Sequence, residues 1–150
     1  MTTHTLASWI QEEHARISEL SDRLQERVAV VPKAAEAKWI EDVESAFAEF
    51  RLHVERHQSL EEEGGYMTGV LEKRPTLARV VEQLMHEHGE MRRIMEEIEQ
   101  RLMELSPDDK LLIRDACHRI QALLQYMEHH ARQEDLLLMS LFKDDGDGGD

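Results

Sequence analysis

The stretch His53-Val-Glu-Arg-His57-Gln-Ser-Leu-Glu61-Glu-Glu-Gly-Gly-Tyr-Met67 decides how this chain is read. It closes an amphipathic segment whose apolar stripe runs Ile40, Val43, Phe47, Phe50, Val54. At helical period the next two members of that stripe should be apolar. They are instead His57 and Glu61, both within about 40° of the stripe's centre. Four residues apart, they stack one turn above the other on the face that must be buried. An unsatisfied polar group in a core costs about 1–3 kcal/mol, and a charged one more. A metal ion is the obvious group to meet both.

Working outward, three more amphipathic helices carry the same kind of interruption. The first is expected over about 4–31, with Thr3 or Thr5 as cap and Pro32 as its stop. Its stripe is Leu6, Ile10, Ile17, Leu20, Leu24, Val28, with His14 at the edge. The second covers about 36–63 and stops at Gly64-Gly65. Residues 64–75 form the longest connection, and Pro75 stands at or near the first turn of the third helix. That helix, about 75–105, has the stripe Leu77, Val80, Val81, Leu84, Met91, Met95, Ile98, Leu102, and His88 falls inside it. Ser106-Pro107-Asp108-Asp109 is a tight link with Ser106 in the cap position. The fourth helix, about 107–142, has the stripe Leu112, Ala116, Ile120, Leu123, Leu124, Met127, Leu138, Leu141, and His130 and Glu134 fill its gap. Residues 1–142 read as one domain, and the acidic, glycine-rich 143–150 as a frayed tail.

Composition agrees with helices throughout: Leu, Glu, Ala, Met and Arg are abundant, and aromatics make up only 5%. Four long helices with short first and third connections give an all-α fold, an up-down-up-down four-helix bundle. The net charge of −14, with no basic stripe, argues against nucleic acid and against an anionic membrane surface as partners. The single cysteine, Cys117, excludes an internal disulfide and a thiolate-rich zinc site. No N-terminal stretch has the pattern of a signal peptide, and no run approaches about 18 apolar residues, so a cytoplasmic location is expected.

The depth of the polar groups is the decisive check. In antiparallel neighbours, groups at one height are equidistant from the connecting turn. The midpoint between His88 and the His130/Glu134 pair falls near residue 110, beside the 106–109 link. Between the His57/Glu61 pair and His88 it falls near 74, inside the long connection, and between His14 and His57/Glu61 near 36. His14, His57, Glu61, His88, His130 and Glu134 can therefore share one layer. Singly, His14 or His88 would pass for a core histidine satisfied by a neighbour. Four imidazoles with two His-x-x-x-Glu pairs instead make a ligand set suited to iron, manganese or zinc, and open positions favour redox chemistry at iron. His4, His86, His118 and His129 are expected on the surface. His53 stands off the stripe, as flank or as support to a ligand. Glu13 and Glu87 are edge carboxylates able to orient a ligating imidazole through its other nitrogen, whereas Glu62 and Glu63 read as a solvated helix end.

On these residues the sequence resembles the hemerythrin-like family, the HHE cation-binding domain. The matching pieces are Glu-Glu-His14, His53-x-x-x-His57-x-x-x-Glu61-Glu-Glu-Gly-Gly-Tyr-Met, Leu-Met-His-Glu-His88 and His130-Ala-Arg-Gln-Glu134-Asp-Leu-Leu-Leu. The resemblance implies a four-helix bundle around two non-haem iron ions, oxo- or hydroxo-bridged, that binds a small diatomic or peroxide ligand. Two departures from the oxygen carriers stand out. Leu84 occupies the place of a second histidine in the third helix, and the fourth helix offers Glu134 four residues after His130 where the carriers use an Asp at five. The set looks more like bacterial di-iron proteins of nitrosative stress and iron-centre repair. His14 and His57 would serve one iron, His88 and His130 the other, with Glu61 and Glu134 as bridges. Two other readings stay open: a structural or interaction bundle holding a redox-inert metal such as zinc, and a di-iron reductase of nitric oxide or peroxide. No protein partner is specified by the sequence.

Overall fold

The computed structural model describes residues 3–63 and 65–147, and the side chains of 7–63, 65 and 67–141. Its elements are α1 (Thr3–Ala29), α2 (Glu36–Glu63), α3 (Tyr66–Lys73), a 3-10 turn (Pro75–Leu77), α4 (Ala78–Met103) and α5 (Lys110–Asp147). Among the described residues there is no strand. The four long helices form a ring: α1 packs on α2 and α5, and α4 packs on the same two. Glu61 and Glu134 thus come from helices on one diagonal, His14 and His88 from helices on the other.

The apolar stripes divide into two clusters along the bundle. One holds Leu24, Phe47, Ile98 and Ile120; the other, at the opposite end, holds Ile10, Met67, Val81 and Leu138. In α1, α4 and α5 the predicted polar residues fall between members of the two clusters, as His88 does between Leu84 and Met91; in α2 they follow Val54 of the first cluster, and the second resumes at Met67 in α3. The six groups form a polar seam across the interior, with Gln58 and Glu87 the other buried polar side chains among the described residues.

The long connection is not wholly a loop. Its first part is α3, where Met67 and Val70 are buried against the second cluster with Leu71 packed beside them. That apolar spacing of three and four residues is a short amphipathic helix lying over the end of the bundle. Gly65 at its start has φ 77, a left-handed conformation that glycine adopts without steric penalty. A 3-10 turn that starts at Pro75, the expected start of the third long helix, leads into α4 at Ala78.

At the last link the cap is Asp109, not Ser106. Leu112 N donates to Asp109 Oδ1 at 3.2 Å, while Ser106 only supplies its carbonyl to Asp109 N at 3.0 Å. Pro107 is taken into the turn, and the carboxylate three residues before Leu112 then satisfies an orphan amide of the new helix. Two expected core positions are exposed as well. Val80 and Leu112 give way to their neighbours Val81 and Ile113, which are buried. α5 runs to Asp147, beyond the expected end at 142. The side chains of Thr3, Thr5, Leu6, His4 and Tyr66, together with Gly64 and residues 148–150, lie outside the described residues. No described helix is long and apolar enough to cross a membrane.

Candidate metal centre

All six predicted residues meet in one place. Their ring nitrogens Nε2 turn inward onto the two carboxylates. His14 Nε2 is 3.1 Å from Glu134 Oε1 and 4.0 Å from Glu61 Oε1, and His57 Nε2 lies against the same Glu61 oxygen. On the other side His88 Nε2 is 3.7 Å from Glu61 Oε2, and His130 Nε2 is 3.4 Å from Glu134 Oε2. Each carboxylate therefore shows one oxygen to the α1/α2 imidazoles and the other to the α4/α5 imidazoles. Two groups of ligand atoms lie within 4.8 Å of one another: His14, His57, Glu61 and Glu134, and His88, His130 and Glu134. Glu134 is common to both.

The outer nitrogens are held by carboxylates reaching across from neighbouring helices. His14 Nδ1 donates to Asp135 Oδ1 at 3.0 Å, His88 Nδ1 to Glu62 Oε1 at 3.1 Å, and His130 Nδ1 to Glu87 Oε1 at 2.8 Å. With a proton held on Nδ1, each ring can offer its Nε2 to a cation in the interior. Glu87 thus has the orienting role expected of it, and Gln83 Nε2 braces its other oxygen at 3.1 Å. Glu62 is not a solvated helix end; Arg92 holds its second oxygen at 3.1 Å. Asp135 escaped the sequence reading although it stands at the fifth place after His130. Its neighbour Glu134 is fully buried and takes the inward position, one residue's rotation leaving Asp135 at the rim beside His14. Glu13 pairs with His53, 3.2 Å away, and neither belongs to the two ligand groups. His57 Nδ1 has no hydrogen-bond partner among the described residues, and the Trp9 ring lies 5.7 Å from its own. His86, His118 and His129 are exposed as expected, and Leu84 is buried and apolar.

Protons hold the seam together in the absence of a cation. Burial and the neighbouring Glu134 raise Glu61 well above the usual carboxylate range. Burial would also raise Glu134, but His130 and His14 beside it hold it low. Burial works against His14's charge, yet Asp135 and Glu134 outweigh it and lift the pKa to about 9. His57, buried and facing His14, is lowered to about 4. His88 is lowered too, by burial and by His130. The His14 imidazolium and the Glu134 carboxylate then balance, with Glu61, His57 and His88 shifted toward their neutral forms.

That balance leaves many atoms unmet. Both oxygens of Glu61 and Glu134, both nitrogens of His57 and Nε2 of His88 are buried without an aligned hydrogen bond among the described residues. Each such atom costs about 1–3 kcal/mol, and cations replacing the protons of His14 and Glu61 would satisfy nearly all of them. Nitrogen and carboxylate donors in this number suit iron, manganese or zinc. Beside the seam lies a cavity of about 200 Å³ walled by four of the imidazoles, Glu61 and apolar side chains such as Phe50 and Leu124.

The family model for the hemerythrin HHE cation binding domain matches residues 5–142. This chain belongs to the hemerythrin family. The match takes in all four long helices and every residue of the seam, so the chain is a metal-binding helical domain of the hemerythrin type. No curated protein and no solved structure matches the chain.

Proposed function

We propose that this hemerythrin-type domain holds two iron ions and binds oxygen, nitric oxide or peroxide there, in redox or nitrosative stress response, in sensing or in iron handling. The observation that carries this reading is the convergence of four Nε2 atoms on two carboxylates that each face both sides. His14 and His57 are assigned to one ion, His88 and His130 to the other, and Glu61 and Glu134 to both. Two irons held this way supply one-electron redox chemistry and coordination positions for a small ligand.

The chain's own residues do the rest. Asp135, Glu62 and Glu87 lock the imidazole tautomers. The two apolar clusters keep bulk water from either end. The cavity of about 200 Å³ beside the seam has room for a small ligand. Four histidines and two glutamates, with Leu84 where a carrier has a fifth histidine, favour the stress-and-repair type of member over a reversible oxygen carrier.

Elemental analysis and the visible spectrum of aerobically purified protein test the proposal. Iron with charge-transfer bands that change on adding azide or nitric oxide supports it. A colourless protein that carries zinc, or takes up no iron, refutes it.

A further inference from the structure

The cavity beside the seam is closed on two of its sides and open on another. Every lining residue that α2 and α4 supply is buried, from Phe50 and Glu61 to His88 and Met91. The exposed ones, Ser18, Asp22 and Glu128, all come from α1 and α5. The cavity therefore reaches solvent through the gap between these two helices.

The bond from His14 to Asp135, 3.0 Å long, sets the register of this antiparallel pair. Counting from it, Ser18 stands opposite Ala131, and Ser21 and Asp22 opposite Glu128. Ser18, Ser21 and Ala131 are too small to close the gap. Larger side chains fill the interior on either side of it, Ile10 with Leu138 and Leu24 with Leu124. At the inner end are His57, Glu61 and His88, each more than nine-tenths buried, with polar atoms that lack partners among the described residues. At the outer end are the carboxylates of Asp22 and Glu128, and no lysine or arginine among the described residues lines the cavity. Arg132 bonds Glu128 at 2.6 Å and offsets part of its charge, so Asp22 carries the larger share.

We propose that the gap between α1 and α5 is the entry port of the metal centre, and that Asp22 and Glu128 make it charge-selective. A negative rim gathers cations, is indifferent to neutral molecules and repels anions. Metal ions enter with that field, nitric oxide and peroxide regardless of it, and anions such as azide against it. The port rests on the proposed metal centre for its purpose.

The test compares wild type with three variants. Asp22→Asn/Glu128→Gln neutralises the rim, Ser21→Leu narrows the gap, and Glu82→Gln/Glu96→Gln removes two exposed carboxylates from α4 instead. Cobalt(II) uptake by the metal-free protein is followed by its visible band. Stopped-flow mixing then gives the rates of azide binding to the ferric protein and nitric oxide binding to the ferrous one. The rim variant is expected to take up cobalt about three- to tenfold more slowly and to bind azide about three- to tenfold faster, with nitric oxide within about twofold. The α4 variant should leave all three rates within about twofold of wild type. Ser21→Leu should slow all three, and azide release by the same factor as azide binding, so that the azide dissociation constant stays within about twofold. Equal effects of the rim and α4 variants, or a rim variant that shifts cobalt and azide in the same direction or not at all, overturn the charge selectivity. Wild-type rates in Ser21→Leu overturn the route. A wild type that takes up neither cobalt nor iron overturns the metal centre and the port together. If cobalt enters and iron does not, the iron reading fails and the cobalt rates still decide the port.

Discussion

The two halves of the centre are written in nearly the same residues and built to different stiffness. α1 and α2 supply Glu13-His14 and His57-x-x-x-Glu61-Glu62; α4 and α5 supply Glu87-His88 and His130-x-x-x-Glu134-Asp135. The parallel extends to the outer bonds. His88 is held by Glu62, the residue after Glu61, and His14 by Asp135, the residue after Glu134. His130 is held by Glu87, the residue before His88. The fourth bond of the set would join Glu13 to His57, and it is missing. Glu13 is paired with His53, one turn below His57, where α5 has Tyr126 in the corresponding place. In the α4/α5 half both imidazoles are anchored, and their carboxylates are braced by Arg92 and Gln83. In the α1/α2 half His57 has no anchor, and His14 leans on Asp135, which is 41% exposed. Ligands whose rings are held from behind lose less freedom on binding a cation. The α4/α5 half should be the tighter of the two.

The contrast can be broken most severely at the residue both halves share. Glu134→Ala should abolish binding at both groups, so that iron per chain after desalting falls to near zero. His57→Ala and His88→Ala should each remove one half, and unequally. Chelator challenge of wild type should release iron in two phases, with His57→Ala removing the fast phase and His88→Ala the slow one. A single phase in wild type would mean that the halves do not differ.

Smaller changes probe the anchors. Glu87→Gln should weaken the slow-phase iron about 10- to 100-fold, the usual scale for such an outer partner. Asp135→Asn should cost less, because solvent already screens that carboxylate. His53→Phe should slow the fast phase, since Glu13 would be released to reach His57; an unchanged fast phase would show that His53 is not what holds it away. The smallest effect expected is that of the exposed His86: His86→Ala should leave iron content unchanged.

The proton arrangement gives a pH signature in the metal-free protein. His14 is raised to about 9 from 6.5, so its stabilisation is fully present below about pH 6.5 and is lost as pH rises through about 9. His57 is lowered to about 4, so the stability tied to its neutral form is present above about pH 6.5 and is lost as pH falls toward about 4. Melting temperatures should therefore peak near neutrality, and His14→Gln should remove the alkaline decline. Iron should flatten the profile, because cations take the places of those protons.

The bundle and the membership of its polar seam were legible in the sequence because helical period alone fixes which residues turn inward. His57 and Glu61 break one stripe, His130 and Glu134 another, and equidistance from the turns sets them at one height. Period could not show what stands behind a ring. Glu62 and Asp135 sit one residue past an inward carboxylate, where the same period reads them as solvent-facing, yet that offset aims them at the neighbouring helix's imidazole. α3 was hidden because its apolar spacing spans under two turns, too short for a period to declare itself beside Gly64-Gly65. Asp109 displaced Ser106 as cap because the turn consumed Pro107, a choice of backbone that composition does not encode.

The claim beneath all of this is that cations, and not protons or buried water, are what the six groups were assembled to hold. Iron analysis of wild type, Glu134→Ala and His86→Ala, purified and reconstituted side by side, tests it most directly. The expected result is one iron for each ligand group, two per chain, in wild type and His86→Ala, and none retained by Glu134→Ala. Equal iron in all three proteins would contradict it.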